Sequence, residues 1–342
     1  GRGRVGRGSG GTKSPRSPGF CRAAARDIRE SGGSFCGPRN RSSPNSRPFF
    51  RDAGGPQISL TGTGFGPRLC YIAAVDIDYY TQYFSFERND WWFIARRRIV
   101  LELMSTRLAG AAGPLRVLDA GCGTGITLQH LEEFGTTIGV DNEPVAINFC
   151  RIREAERLAC APLERLPFAD DSFDVVTCLD VIEHIEHDDA AVAEMARVIR
   201  PGGLFVLTVP AFRLFWSDHD VINHHKRRYR RRRIREMIGE SFDFEVLSYY
   251  NTHLFPIAFA VRMLKKIEMA VYPSATRKVV AENTYLPRSV NALFAKIFSS
   301  EIFWLKRTSL PIGLSIICVA RRKHASADSR PTDDREPSAR TI

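Results

Sequence analysis

From residue 116 onward, short mostly apolar runs alternate with longer stretches in which apolar positions recur at helical spacing. The runs at 116–120, 137–141, 173–178 and 204–209 read as strands covered on both faces, and helices fit between them. One such helix, at 188–199, is terminated by Pro201-Gly202-Gly203. Alternation of this kind predicts a mainly parallel sheet with helices on both faces, which takes its ligands at the carboxyl ends of its strands. Beyond Pro210 come a polar, basic segment to Arg235, a strand-like run at 242–249, an apolar helical region at 254–305 and a final strand at 312–320. Upstream, residues 71–108 mix aromatics, including Trp91, Trp92 and Phe93, with a helical pattern.

Charge changes this picture only once it is located. The net charge of +11 suggests nucleic acid, yet residues 1–70 alone hold thirteen Lys and Arg against three Asp and Glu, and the remainder is balanced at 36 against 35. The basic excess therefore belongs to a Gly/Ser/Pro/Arg-rich leader that cannot bury enough apolar surface to offset its ordering entropy, and disorder is expected there. Such a leader is compatible with a transit peptide or an RNA-binding arm; an extension without function is the favoured reading. A single domain at 71–323, with a helical insertion at 254–310, and a disordered tail at 324–342 complete the expected organisation.

Eight isolated cysteines, at 21, 36, 70, 122, 150, 160, 178 and 318, show no paired spacing for zinc or a redox couple. Cys160 and Cys178, in strand-like runs, are expected to be core residues. Reduced thiols and a cytoplasmic location are expected, with organelle targeting by the leader left open. Arg262 and Arg321 interrupt the apolar stretches before they reach the roughly 18 residues needed to cross a bilayer. Peripheral contact with a membrane stays compatible with this.

The strongest chemical signal is V-L-D-A-G-C-G-T-G at 117–125, a buried strand entering a turn with three alternating glycines. The spacing is G-x-G-x-G, not the G-x-G-x-x-G of dinucleotide sites, and no G-K-[ST] follows, so phosphate binding is disfavoured. Asp141 ends the next strand, where a carboxylate can accept ribose hydroxyl hydrogen bonds. Glycine loop and acid together suit a nucleoside without phosphate. The competing structural reading is a tight turn with Asp141 as a helix cap.

The run resembles class I S-adenosylmethionine-dependent methyltransferases of the type 11 group. E-R-L-P-F at 164–168, Ser172-Phe173-Asp174, Glu183-His184 and R-V-I-R-P-G-G at 197–203 are similar to that group's later motifs, in order. The resemblance implies an α/β, Rossmann-like fold with a seven-stranded, mostly parallel sheet, and S-adenosyl-L-methionine as cofactor. It implies that Asp119 holds the methionine ammonium through water and that Gly121 and Gly123 line the methionine moiety, in one loop with Cys122 and Gly125. Asp141 would take the ribose, Asn142, Leu163 and Glu164 would border the adenine, and Leu179 would close the pocket. Pro162 stands where many relatives carry Asp. E-R-N-D-W-W-F at 87–93, with Arg96-Arg97, and the segments L-F-W-S-D-H-D and H-H-K-R-R-Y at 214–229 resemble a bacterial subgroup of largely unassigned substrate, with Asp90 and His224 as departures. The Trp pair reads either as core packing or as a lid over the cofactor.

Methyl transfer to a hydroxyl or amine needs alignment and removal of a proton. His184, after the fourth strand, and His219 and His225, after the fifth, can reach the carboxyl edge of the sheet. His219, with Asp220 as its orienting partner, ranks first; a satisfied structural role is the bland reading for each. T-C-L-D-V-I-E-H at 177–184 also resembles ubiquinone-biosynthesis O-methyltransferases, some of which hold Mg²⁺ or Mn²⁺ with residues that would be Asp180, Glu183 and His184 here. Glu-His occurs equally in metal-free relatives, so no metal is expected. The eight Lys and Arg of 226–235 read as a solvated face or as a cradle for an anionic group. The expected function is methyl transfer to a small or lipid- or polysaccharide-linked substrate, anionic if that cluster engages it; the alternative is a protein of this fold that holds or modifies RNA.

Overall fold

A computed structural model describes residues 80–271 and 286–324. The expected leader at 1–70 lies outside them, as does the tail past its first residue. Two helices come first: α1 at 80–89 and α2 at Trp91–Leu108, which Asp90 caps by accepting from the Trp92 amide at 2.9 Å. The alternating region follows as β1 Leu115–Ala120, α3 Ile126–Leu131, β2 Gly135–Asp141, α4 Pro144–Ile152, β3 Leu158–Cys160, β4 Phe173–Leu179, α5 Asp188–Val198 and β5 Ile199–Pro210. Then come α6 Asp218–Ile222, α7 Arg231–Ile238, β6 Phe242–Tyr250, α8 Phe255–Val271, α9 Arg288–Ser299, α10 Ile302–Leu305 and β7 Ser315–Arg322.

The seven strands form one sheet in the order β3-β2-β1-β4-β5-β7-β6. Strands β1 to β5 pair in parallel, and β7 runs antiparallel between β5 and β6. This is the expected Rossmann-like α/β sheet. Because side chains alternate across a strand, the apolar runs feed two cores. Leu118, Val176, Phe205 and Cys318 pack on one face, and Val117, Val175, Val206 and Val319 on the other. Truncating one of the large members, such as Phe205→Ala, would cost about 3–5 kcal/mol.

Strand order reverses between β1 and β4, which lie side by side with β2 and β5 outside them. At such a switch point the connections leave in opposite directions and open a crevice at the carboxyl ends of the strands. The glycine loop after β1 and the turn after β4 flank that crevice.

β3, three residues long, is not among the strands the pattern predicts, because Leu158-Ala159-Cys160 is too short an apolar run to show a period. Two expectations need correction. Cys160, at its end, is exposed, because β3 is the edge of the sheet; Cys178 in β4 is buried as expected. The final strand begins at Ser315, since Pro311 and Gly313 break the run before it.

The helical insertion packs α9 against α2: Trp91 meets Phe294 and Phe298 edge-on at 5.6 and 6.1 Å. Trp91 is thus a packing residue, the core reading of the pair. Helix α8 leaves an apolar stripe exposed at Ile257, Val261, Leu264, Ile267 and Val271, at helical spacing. No helix among the described residues is long and apolar enough to cross a membrane.

Candidate active site

The crevice begins with a buried acid. Asp119, on β1, accepts a 2.7 Å hydrogen bond from Thr177 of β4. Burial, reinforced by the charges of Asp141 and Glu87, pushes its carboxyl up to about 7 against that hydrogen bond and the charge of Arg96.

The following loop needs its glycines for different reasons. Gly121, Gly123 and Gly125 have φ of +80°, +54° and +85°, a region side chains disfavour. A Cβ on Gly121 would lie 2.4 Å from the Val181 side chain, whereas one on Gly123 would meet nothing within 4 Å. Gly121 lets the loop lie against the turn after β4; Gly123 presents open space to a ligand. The Cys122 amide donates to Val140 O at 3.0 Å, and its thiol lies 3.7 Å from that of Cys150 in a small apolar cluster. Cys122, expected among the cofactor contacts, therefore serves the loop's inner side.

Asp141, at the end of β2, accepts from the Gly123 amide at 2.9 Å and the Glu143 amide at 3.0 Å. Its carboxyl is raised by burial and opposed by those backbone donors. The acid holds the glycine loop and the approach to α4 together, so the capping reading and the ligand reading meet in one residue. Asn142 is exposed beside it, Leu163 is buried and Glu164 half-buried on the next connection. Leu179 is buried at the end of β4, where its carbonyl accepts from Arg96 at 3.2 Å.

Two supports escaped the sequence reading. Glu87 of α1 accepts from Arg153 at 2.6 Å and from the hydroxyl of Thr124 in the glycine loop. Arg153 also donates to Thr124 O at 2.8 Å and lies 3.9 Å over the Phe84 ring. α1 is thereby strapped onto the loop; the segment's signal lay in Glu87, not in the tryptophans. The second support is Arg96 of α2, buried, paired with Asp180 at 2.5 Å. Asp180 also accepts from Thr208 at 2.7 Å.

The segment after β5 carries the histidines. Asp220 is fully buried; it accepts from the Ser217 amide, from both Arg228 nitrogens at 2.7 and 3.0 Å, and from Nδ1 of His225 at 2.9 Å. These partners hold its carboxyl well below the usual carboxylate range against the penalty of burial. Asp220 therefore orients His225 and not His219, because α6 points successive side chains apart while the turn at His224, φ +55°, folds His225 back. His219 hydrogen-bonds Asn223 at 2.9 Å through Nε2. One edge of His219 is exposed, yet desolvation by neighbouring groups, with His225 beside it, lowers its pKa to about 4. The three rings form a row, His184 to His225 at 4.7 Å and His225 to His219 at 6.0 Å.

The basic cluster is largely engaged by its own acids. Lys226 and Arg227 meet Glu186, Arg227 and Arg233 meet Asp188, Arg228 meets Asp220 and Arg232 meets Glu236. Arg231 lies over the Tyr249 ring at 4.8 Å. The expected anionic cradle gives way to a structural, internally paired cluster.

S-adenosylmethionine bears a cationic sulfonium, an ammonium and one carboxylate. A buried carboxylate, Asp119, and a half-buried one, Asp141, both raised by burial, stand beside a loop that leaves open space at Gly123, so these residues can pair with an ammonium and accept from a ribose, and they fit that cofactor.

Residues 118–207 match the family described as a methyltransferase domain. The chain is 33% identical over 124 residues to a Mycolicibacterium smegmatis protein named a probable S-adenosylmethionine-dependent methyltransferase, over 36% of this chain and 46% of that one. It is 30% identical over 138 residues to the ubiquinone biosynthesis O-methyltransferase of Xanthomonas euvesicatoria, over 35% of this chain and 56% of that one. The chain spans about half the length of the curated relatives it matches. Among solved structures it is similar to the YcgJ protein of Bacillus subtilis, 20% identical with a TM-score of 0.43 over 66% of this chain and 98% of that one. Residues 118–207 are thus similar to methyltransferase domains, and they span the part of the sheet, β1 to β5, that carries the glycine loop and the switch point.

Proposed function

We propose that the protein transfers a methyl group from S-adenosylmethionine to a hydroxyl or amine of a small or lipid-linked acceptor. The observation that carries this reading is a pair of acids at the switch point: Asp119, buried on β1, and Asp141, half-buried at the end of β2, which accepts from the Gly123 amide beside open space. The bound cofactor supplies an electrophilic methyl on sulfur. Asp119 holds the cationic end, Asp141 and the loop fix the ribose side, and α1, strapped through Glu87, shields the loop from water.

The acceptor approaches along the edge formed by the ends of β4 and β5. With the cofactor bound, the acceptor's oxygen or nitrogen would bond to the methyl carbon as the carbon–sulfur bond breaks and its electron pair stays on sulfur; this chain's part is to align the acceptor and receive its proton. The acceptor's proton goes to a histidine of the row; His219, neutral at physiological pH, is the proposed recipient. A lipid-linked acceptor is supported by α8, whose exposed stripe neighbours this edge. Phe255 and Phe259 of α8 meet Phe215 edge-on, and Arg262 donates to Phe215 O at 2.9 Å. The RNA alternative loses its support where the basic cluster pairs with Glu186, Asp188, Asp220 and Glu236.

Calorimetric titration with S-adenosylmethionine and S-adenosylhomocysteine tests the reading. Binding of both at one site per chain is expected. Binding of neither would overturn it.

A further inference from the structure

Directly after β4 the chain forms a single 3₁₀ turn, Ile182–His184, which drives Glu183 inward and turns His184 toward solvent. Glu183 is fully buried, and neither carboxylate oxygen has a hydrogen-bond partner. A buried carboxylate in that state carries a desolvation penalty with nothing to offset it, which protein interiors rarely tolerate. The nearest acid is no help: Asp180 is held by Arg96 and Thr208. The cations that act on it are engaged as well, Arg96 by Asp180 and Arg228 by Asp220.

What faces Glu183 is a pair of imidazoles. Ligand atoms of Glu183, His184 and His225 all lie within 4.8 Å of one another. Each ring already has one nitrogen fixed by an outer acceptor. His225 gives Nδ1 to Asp220 at 2.9 Å, and His184 hydrogen-bonds the backbone carbonyl of Asn223. Carboxylate and carbonyl acceptors behind a histidine are what orient its other nitrogen and strengthen it as a ligand. The buried carboxylate lacks a hydrogen-bonding partner, and beside it stand two imidazoles, each with a second ring nitrogen to offer.

We propose that Glu183, His184 and His225 bind one divalent transition-metal ion of the zinc class. Two imidazoles and one carboxylate suit zinc and its neighbours, whereas Mg²⁺ prefers oxygen ligands and water. The set differs from Asp180, Glu183 and His184, because Asp180 is tied to Arg96 and replaced by a histidine from the segment after β5. Zn–N and Zn–O distances of about 2.0–2.1 Å place tetrahedral ligands roughly 3.4 Å apart, so atoms now within 4.8 Å of one another need close by at most about 1.4 Å. Glu183, anchored by no hydrogen bond, can swing; exposed His184 gives the ion a way in. Three protein ligands leave a position open, and the ends of β4 and β5 are where the proposed acceptor sits. The metal's use in methyl transfer, through contact with a hydroxyl oxygen of the acceptor, rests on the function proposed above; its binding does not.

The test uses the full chain, treated with chelator, dialysed and titrated with Co²⁺ while its visible absorption is followed. One equivalent per chain is expected, displaced by Zn²⁺. Glu183→Gln, His184→Ala and His225→Ala should each weaken Co²⁺ binding by about 10-fold or more, by analogy with the loss of outer-sphere partners alone. Circular dichroism confirms the fold, and exposed His184 serves as the variant least able to perturb it. Calorimetry with S-adenosylmethionine runs alongside. Cofactor binding without stoichiometric Co²⁺ binding overturns the metal site alone, leaving Glu183 a protonated buried acid. Co²⁺ binding that all three variants retain overturns it equally. Co²⁺ binding lost in the variants, with no cofactor binding in any, upholds the site and defeats the methyltransferase reading.

Discussion

Asp220 Oδ1 lies 2.9 Å from Nδ1 of His225, five positions along the chain, while His219, its neighbour in sequence, bonds Asn223 instead. Asp220 is also the buried counter-charge of Arg228, so Asp220→Ala would strand a buried guanidinium and should cost about 3–5 kcal/mol. Asp220→Asn, which keeps one acceptor, should cost less. His219→Ala should stay within about 1 kcal/mol of the parent, as partly exposed substitutions usually do. Thermal denaturation of the three variants checks the ranking.

For His219 itself the expected outcome is kinetic. If it takes the acceptor's proton, His219→Ala lowers turnover by about 10²–10⁴-fold with little change in cofactor affinity, since a general base acts in the transition state. The imidazole must be neutral to act, and its pKa is lowered to about 4. Activity should therefore be lost only as pH falls through that region, well below the ordinary histidine range. A pH–rate profile of kcat/KM whose acid limb is unmoved by His219→Ala would remove it from the mechanism.

Cofactor affinity should depend on pH through Asp119. Its carboxyl, at about 7 in the free protein, must ionise to pair with a cation, so binding releases a proton at lower pH. Affinity should rise as pH increases from about 5.5 to 7, by at most tenfold per pH unit. Asp119→Asn should flatten that slope and weaken binding at pH 7.5. Calorimetry in buffers of different ionisation enthalpy counts the proton directly.

Asp141→Ala should weaken S-adenosylmethionine binding by about 1.5–3 kcal/mol, through lost charge-assisted hydrogen bonds and a loosened glycine loop. The sheet does not depend on this side chain, so far-ultraviolet circular dichroism should be unchanged. Equal affinity in the variant would sink the cofactor assignment.

The two loop glycines should respond in opposite ways. Gly121→Ala combines a left-handed φ with a clash against Val181 and should destabilise the fold by about 2–5 kcal/mol. Gly123→Ala meets no protein atom, so its fold penalty should be only about 1–2 kcal/mol, yet the added methyl enters the ligand's space. Melting temperature should fall most in the first variant and cofactor affinity in the second.

Much of this was legible in the chain because buried parallel strands write themselves as apolar runs and a glycine loop has few alternatives. β3 was not, since three residues at a sheet edge carry no periodic signal. The His225 to Asp220 pairing was hidden for a different reason. Adjacency in sequence favoured His219, but on α6 adjacent side chains diverge, and only the positive φ of His224 returns His225 to the acid. The basic run misled because composition counts charges without their partners: Asp188 and Asp220, which engage it, lie as far as 45 positions away along the chain. Glu183 gave no sign of its isolation, which exists only once burial is known.

The place of β7 sets the order in which the molecule can be made. It is the last strand among the described residues, yet it fills the gap between β5 and β6. Until residues 315–322 have left the ribosome, β5 has an open edge and β6 has no partner in the sheet, so both must wait with unpaired backbone groups exposed. The cofactor half, β1 to β4, can assemble during synthesis; the half bearing the histidines is completed only after the final strand arrives. That delay makes the segment from β5 to β6 the part of the newborn chain most open to mispairing with another copy, and the part most in need of protection before it closes.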